Sequence, residues 1–169
     1  MGSDCRACQA GKVFRNGSSC ISCAPGSYSS VAGSSECSKC DSGKFSTVCG
    51  GSTCTSCEAG KYLSGTGITM DGMCTNCDIG TYQSISSSSA CLSCPSGTYA
   101  SSSGVSYCRM CIAGTYQTGT GMIVASNCTL CGAGKYQTGL GMLSSSNCTS
   151  CMAGKFQTGF GATLATGCI

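Results

Sequence analysis

Cys91-Leu92-Ser93-Cys94-Pro95-Ser96-Gly97-Thr98-Tyr99 is a phrase that recurs, with changes at its variable positions, along the whole chain. Nine Cys-x-x-Cys pairs begin at residues 5, 20, 37, 54, 74, 91, 108, 128 and 148. The intervals between them are 15, 17, 17, 20, 17, 17, 20 and 20 residues, and one more interval of 20 reaches Cys168. Three residues after the second cysteine of every pair stands a glycine: Gly11, Gly26, Gly43, Gly60, Gly80, Gly97, Gly114, Gly134 and Gly154. Two residues later comes an aromatic in eight of nine repeats: Tyr28, Phe45, Tyr62, Tyr82, Tyr99, Tyr116, Tyr136 and Phe156. The first repeat has Val13 there and Phe14 one place on. A period this strict identifies a repeat architecture before any other reading is needed.

Residue types within the period predict the local structure. A glycine at a constant offset implies a turn with positive φ or a close backbone approach. The aromatic supplies the one sizeable apolar plate of each repeat, placed to pack on a neighbouring disulfide. Short stretches such as Gly134-Lys135-Tyr136-Gln137-Thr138 predict hairpin-like strands, and the runs Ser86 to Ser89 and Ser101 to Gly104 predict turns or exposed loops. The 20-residue repeats carry a Gly-x-Gly element (65–67, 119–121, 139–141, 159–161), to which the three extra residues are assigned. With no strand–helix context around it, that element reads as a turn and not as a phosphate loop. The expected fold is a small disulfide-rich, elongated array of about nine short-hairpin loop repeats of 15–20 residues, with little regular secondary structure and no helix of any length. Three stretches are distinguished: irregular cysteine-rich repeats over 1–54, mixed 17- and 20-residue repeats over 55–107, and regular 20-residue repeats over 108–169. Met1-Gly2-Ser3-Asp4 leads directly into Cys5, and only Ile169 follows Cys168, which is where a tenth pair would begin. The expectation from both ends is a segment of a longer array.

Composition explains why the period is built on sulfur. Leu, Ile, Val and Phe together number 22 of 169 residues, about 13%, below the ~20% under which a chain struggles to build a core. There is no Trp. Apolar burial on this scale does not offset the ordering entropy of the backbone. Twenty cysteines, about 12% of the chain, pass the threshold of a disulfide scaffold. Such scaffolds persist in oxidising compartments, so the expected location is extracellular or at the cell surface. Six Lys and three Arg against four Asp and two Glu give a net charge of +3. These charges are dispersed, without a basic stripe for nucleic acid or a membrane surface. The longest uncharged stretch, 79–108, is too rich in Ser, Gly and Thr to span a bilayer.

The phrase Cys-x-x-Cys-x-x-Gly-Thr-Tyr at Cys91 to Tyr99 resembles the ephrin-receptor-like cysteine-rich repeat and is similar to the loop modules of tumour necrosis factor receptors. In modules of that sort the cysteine before x-x-Gly-x-Tyr closes a loop with a later cysteine. The resemblance therefore implies Cys57–Cys74, Cys77–Cys91, Cys94–Cys108, Cys111–Cys128, Cys131–Cys148 and Cys151–Cys168. The additional Cys49 leaves the first third open. One solution is Cys5–Cys20, Cys8–Cys23, Cys37–Cys49 and Cys40–Cys54, which uses every cysteine locally and fits a four-cysteine receptor module over 37–54. The other continues the loop series as Cys8–Cys20, Cys23–Cys37 and Cys40–Cys54, leaving Cys5 and Cys49. The first is preferred.

Rival chemistries are weaker. Paired Cys-x-x-Cys motifs 15–20 residues apart also match four-cysteine zinc sites, which makes a cysteine-rich metal-binding protein one alternative. Against it stand the absence of histidine and the glycine–aromatic phrase after every pair. Nine near-equivalent pairs without a βαβ pattern do not suit a redox enzyme. Without His there is no Ser–His or Cys–His nucleophile. No catalytic residue, cofactor site or metal site is expected. Asn16, Asn127 and Asn147 head Asn-x-Ser/Thr sequons, the last two at equivalent positions of successive repeats. These are candidate glycosylation sites, and the serine clusters are candidates for O-linked sugars. The expected function is a structural subunit of an extracellular filament, surface hair or coat. Its partners would be further copies or other surface proteins, met through Met122, Ile123, Val124, Met142, Leu143 and Phe160. The alternative is the ligand-binding ectodomain of a cell-surface receptor, with recognition expected in the irregular first 54 residues.

Overall fold

The computed structural model describes residues 8–15 and 19–169. The chain is a succession of closed loops, each running from the second cysteine of one pair to the first cysteine of the next. They are numbered here in order: loop 1 spans 8–20, loop 2 23–37, loop 3 40–54, loop 4 57–74, loop 5 77–91, loop 6 94–108, loop 7 111–128, loop 8 131–148 and loop 9 151–168.

Loops 1 to 8 each carry one small antiparallel hairpin. Its outgoing strand is the residue pair ending in the aromatic, and its return strand is the x-x of the next Cys-x-x-Cys. Thus Tyr99 pairs with Arg109, Tyr116 with Thr129 and Tyr136 with Thr149. Loop 1 has the longest strands, Lys12–Arg15 against Ser19–Ser22. The turn glycine closes the hairpin from inside: the carbonyl of Gly97 accepts from Cys111 N–H at 2.8 Å, and that of Gly114 from Cys131 at 2.8 Å. Because the strands place the two flanking cysteines opposite each other, the bridge follows the hairpin. Cα–Cα distances are 5.6–5.8 Å across Cys8–Cys20, Cys23–Cys37, Cys40–Cys54, Cys57–Cys74, Cys94–Cys108, Cys111–Cys128, Cys131–Cys148 and Cys151–Cys168. Cys77 and Cys91 are disulfide-bonded as well.

Three of the expected pairs are corrected. Cys20 bonds Cys8 and not Cys5, Cys23 bonds Cys37 and not Cys8, and Cys49 is an exposed free thiol and not the partner of Cys37. The hairpin register is the reason. Cys23 donates its N–H to Gly11 O just as Cys40 does to Gly26 O, so Cys23 already opens loop 2 and cannot also close loop 1. Cys5 lies outside the described residues.

Recurring backbone bonds join successive loops. The turn glycine donates to the carbonyl of the residue after the next loop's aromatic: Gly26 to Ser46, Gly43 to Leu63, Gly97 to Gln117 and Gly114 to Gln137, at 2.7–2.9 Å. The residue after the aromatic donates onward, as Ser46 does to Ile68 O and Gln117 to Met142 O. A residue seven places beyond the turn glycine donates back to the opening cysteine of the preceding loop, as in Gly50 to Cys23 O and Gly141 to Cys111 O. It also reaches one loop further: a Cβ added at Gly97 or Gly114 would run into the carbonyl oxygen of Gly141 or Gly161. Loops 1, 2, 3, 5, 6 and 7 are therefore each closed over by the second loop that follows.

The three extra residues of the long repeats are not in the Gly-x-Gly element. Its second glycine (Gly67, Gly121, Gly141, Gly161) takes the place held in short repeats by Gly33, Gly50, Ser87 and Gly104, seven residues after the turn glycine. The extra residues instead form a single 3-10 turn before the closing cysteine: Asp71–Met73, Ala125–Asn127, Ser145–Asn147 and Ala165–Gly167. Among the described residues these four three-residue turns are the only helical segments.

What is buried is mostly sulfur. Cys8, Cys23, Cys40, Cys57, Cys77, Cys94, Cys111 and Cys131 are each at most 1% exposed. Phe45, Cys57 and Leu63 form one small cluster with Ile68 and Cys74 against it, so here the aromatic does pack on a neighbouring bridge. Contacts divide the described chain into two compact units. One comprises residues up to Asn76 with Ile85–Cys91, the other Cys77–Ser84 with Leu92–Ile169.

Candidate interaction surface

The residues nominated for association do not behave alike. Met122 and Met142 are half-buried, because their backbones make isolated parallel bridges to Tyr99 and Tyr116. Ile123, Val124, Leu143 and Phe160 are exposed. Ile123 and Leu143 are nonetheless placed by the fold: their methyls lie over Gly80 and Gly97, where an added Cβ would meet them at 3.0 and 3.1 Å. These side chains are thus partly local packing and partly free surface.

Other exposed apolar side chains come from positions that periodicity hides. Ile21, Leu92, Met110 and Leu130 occupy the x-x of a Cys-x-x-Cys, on return strands whose faces are open. Ile112 and Met152 directly follow the second cysteine of a pair, and Ile79 stands two places after one. Outside loop 1 the strands of the described residues are two residues long, too short for a period that announces which face these side chains take.

One buried row was also missed. The residue after the aromatic in loops 2 to 8, namely Ser29, Ser46, Leu63, Gln83, Ala100, Gln117 and Gln137, is at most 6% exposed, while Gln157 in loop 9 is half-buried. Its chemistry varies because the backbone makes the joining bonds, so only its constant offset could have revealed it. In loops 7 and 8 its side chain adds to the joint: Gln117 Oε1 accepts from Gly97 N–H, and Gln137 Oε1 from Gly114 N–H, both at 2.8 Å. Gln157 Oε1 is buried without a partner.

Asn127 and Asn147 are exposed at the ends of 3-10 turns. Their Oδ1 atoms accept from Val124 N–H at 3.2 Å and Ser144 N–H at 3.1 Å. That bond uses the oxygen and leaves to the amide nitrogen the role of attachment point. Asn16 lies outside the described residues. The serine cluster at 86–89 is partly structural: Ser88 is buried, and Ser87 Oγ bonds Ser56 Oγ at 2.6 Å. Ser101, Ser102 and Ser103 are exposed.

Concavities are small. A cleft of about 230 Å³ is lined by Ser101, Ser102, Val105, Tyr107 and Arg109 among others. Tyr107 is the one tyrosine outside the aromatic register, and it is 69% exposed. A second cleft, of about 250 Å³, brings Glu58, Lys61 and Asp71 to the rim of the Phe45 cluster. Among the described residues no three His, Cys, Asp or Glu side chains are grouped to hold a metal ion. Sulfurs committed to disulfides are not thiolate ligands. No helix of the described residues is long and apolar enough to cross a membrane.

With loops, bridges and joints in place, the chain can be set beside known families. Residues 65–106 match the family model described as tyrosine-protein kinase ephrin type A/B receptor-like. The match covers the second half of loop 4, all of loop 5 and most of loop 6, on the ephrin-receptor side of the resemblance. No curated protein matches the chain. Cysteine-rich repeats of this ephrin-receptor-like kind, closed by disulfides, are an extracellular type of module and fit secretion or display at a cell surface.

Proposed function

We propose that this protein is a non-catalytic structural subunit of an extracellular filament, surface hair or coat. The observation that carries the reading is the joint between loops. It is made of backbone hydrogen bonds repeated at constant offsets, so it serves any number of loops and asks little of their side chains. Stability in such a design is a sum of loop and neighbour terms, and length grows without a shared core. Small open clefts and dispersed charge suit a surface that repeats over one that recognises a small molecule. Asn127 and Asn147, one repeat apart, carry N-linked sugars in this reading, projecting from equivalent turns. Electron microscopy of native material labelled with an antibody to the chain tests the proposal. Label along fibres or a coat is expected; label on solitary molecules overturns it.

A receptor ectodomain is the second reading, favoured by the family match over 65–106 and by the exposed Tyr107 beside Arg109 at a cleft. Tyrosine and arginine are the side chains that most often anchor protein partners. One saturable protein ligand, lost on substitution at that cleft or within the first 54 residues, would establish it.

A further inference from the structure

At three successive joints of the second compact unit, paired glycines form a bare backbone floor with apolar side chains around it. Gly80 faces Gly121, Gly97 faces Gly141 and Gly114 faces Gly161. A Cβ added at Gly97 would meet Leu143 Cδ2 at 3.1 Å, and one added at Gly141 would meet Met110 Cγ at 3.4 Å. Ile123 lies in the same way over the joint before, and Leu130 over the joint after. These four side chains are 42–59% exposed, so the fold fixes them in a row without covering them. Two offsets generate the row. The residue before a loop's opening cysteine gives Met110 and Leu130, and the residue two places after the second glycine of a pair gives Ile123 and Leu143. The first compact unit holds polar residues at the same offsets: at its Gly26–Gly67 joint, Thr69 takes the place of Leu143 and Lys39 that of Met110. The row also lacks charge. Arg109 is the only charged residue from 79 to 134. As the strand neighbour of Met110 it takes the opposite face, beside Tyr107 at its cleft.

We propose that this row docks side to side on the same row of a second copy, the two chains running antiparallel about a two-fold axis. The inference rests on the filament reading and specifies a lateral contact within it. An occupant of the row has to be apolar, uncharged and spaced at one-loop intervals, and a second copy's row meets all three demands. The row is balanced about the Gly97–Gly141 joint, with Ile123 one joint before it and Leu130 one joint after. With the axis there, Met110 and Leu143 meet their own counterparts and Ile123 meets Leu130 of the other copy, a self-complementary arrangement. The glycine floor admits close approach, and the contact removes the four side chains of each copy from water. Four side chains a copy is little beside the ~800 Å² per partner of a stable interface, so the association is reversible and depends on concentration.

Substitutions that the fold already holds elsewhere test the contact in the full chain. Met110→Lys and Leu143→Thr reproduce the Gly26–Gly67 joint, where Lys39 and Thr69 are accommodated, so disulfide mapping should find the same bridges. Val31→Lys alters an exposed apolar residue of the first unit, off the row. Sedimentation velocity should show a monomer–dimer equilibrium for the unaltered protein and for Val31→Lys. Met110→Lys and Leu143→Thr should each weaken the dimer at least about tenfold. An equimolar mixture of Met110→Lys and Met110→Glu should dimerise more tightly than either variant alone, because opposite charges then meet at the axis. A mixture without that gain overturns the two-fold contact. Dimers of Met110→Lys as tight as those of the unaltered protein overturn the row, while the filament reading stands on some other surface. An unaltered protein that stays monomeric overturns the contact even where microscopy finds label along fibres. If that monomer binds phosphatidylcholine vesicles and Met110→Lys does not, the row belongs to a lipid surface and the second copy is ruled out.

Discussion

At the scale of single residues, the turn glycines carry two demands at once. Gly97 and Gly114 have φ of +77° and +81°, and both face a carbonyl from two loops later. Alanine would meet the left-handed penalty of about 1–2 kcal/mol and a backbone clash. Gly114→Ala is therefore expected to lower stability by about 2 kcal/mol or more, read from denaturant unfolding without reductant. Gln137→Ala should be milder. Its Oε1 bond to Gly114 N–H is lost, but the Gln137 backbone carbonyl still accepts from the same donor, so about 1 kcal/mol is expected. The glycine was readable in the sequence because only one residue type tolerates that backbone. The position of Gln137 was not, because serine, leucine, alanine and glutamine all fill it in different loops.

The loop is the element of this molecule, and its bridge is the element's main support. Closing a loop of this size restricts the unfolded chain by about 3 kcal/mol in the entropic model. Replacing Cys111 and Cys128 together by serine should cost about that amount and should raise proteolysis within 112–127 in limited digestion. A loss well below 1 kcal/mol would show that the joints, not the bridges, hold each loop. At this scale the sequence also misled. In the first third it admitted two pairings, since cysteine spacing alone does not say which cysteine opens a loop; the hydrogen bond from Cys23 to Gly11 does. Peptide mapping after alkylation without reductant should find Cys49 modified and Cys23 linked to Cys37. The three extra residues of long repeats were misplaced for a related reason. Gly-x-Gly is visible as composition, whereas a 3-10 turn such as Ser145–Asn147 has no composition of its own.

For the molecule as a whole, stability passes from neighbour to neighbour through the backbone bonds that join one loop to the next. Protection should then vary along the chain with the number of covering loops. Hydrogen exchange at Gly97 and Gly114, each bonded to a glutamine and closed over from two loops on, should be slowest. Gly154 N–H, exposed with open space around it, should exchange fastest of the turn glycines. Uniform protection would instead mean one cooperative unit, contrary to a sum of nearest-neighbour terms. The agent that removes the fold separates the sulfur chemistries in the same experiment. Dithiothreitol should abolish protection throughout, since the apolar burial left behind is a few side chains around Phe45. EDTA should leave every rate unchanged, because bridged sulfurs hold no metal. Protection lost to the chelator but kept in mild reductant would replace the disulfide array with a thiolate–metal one.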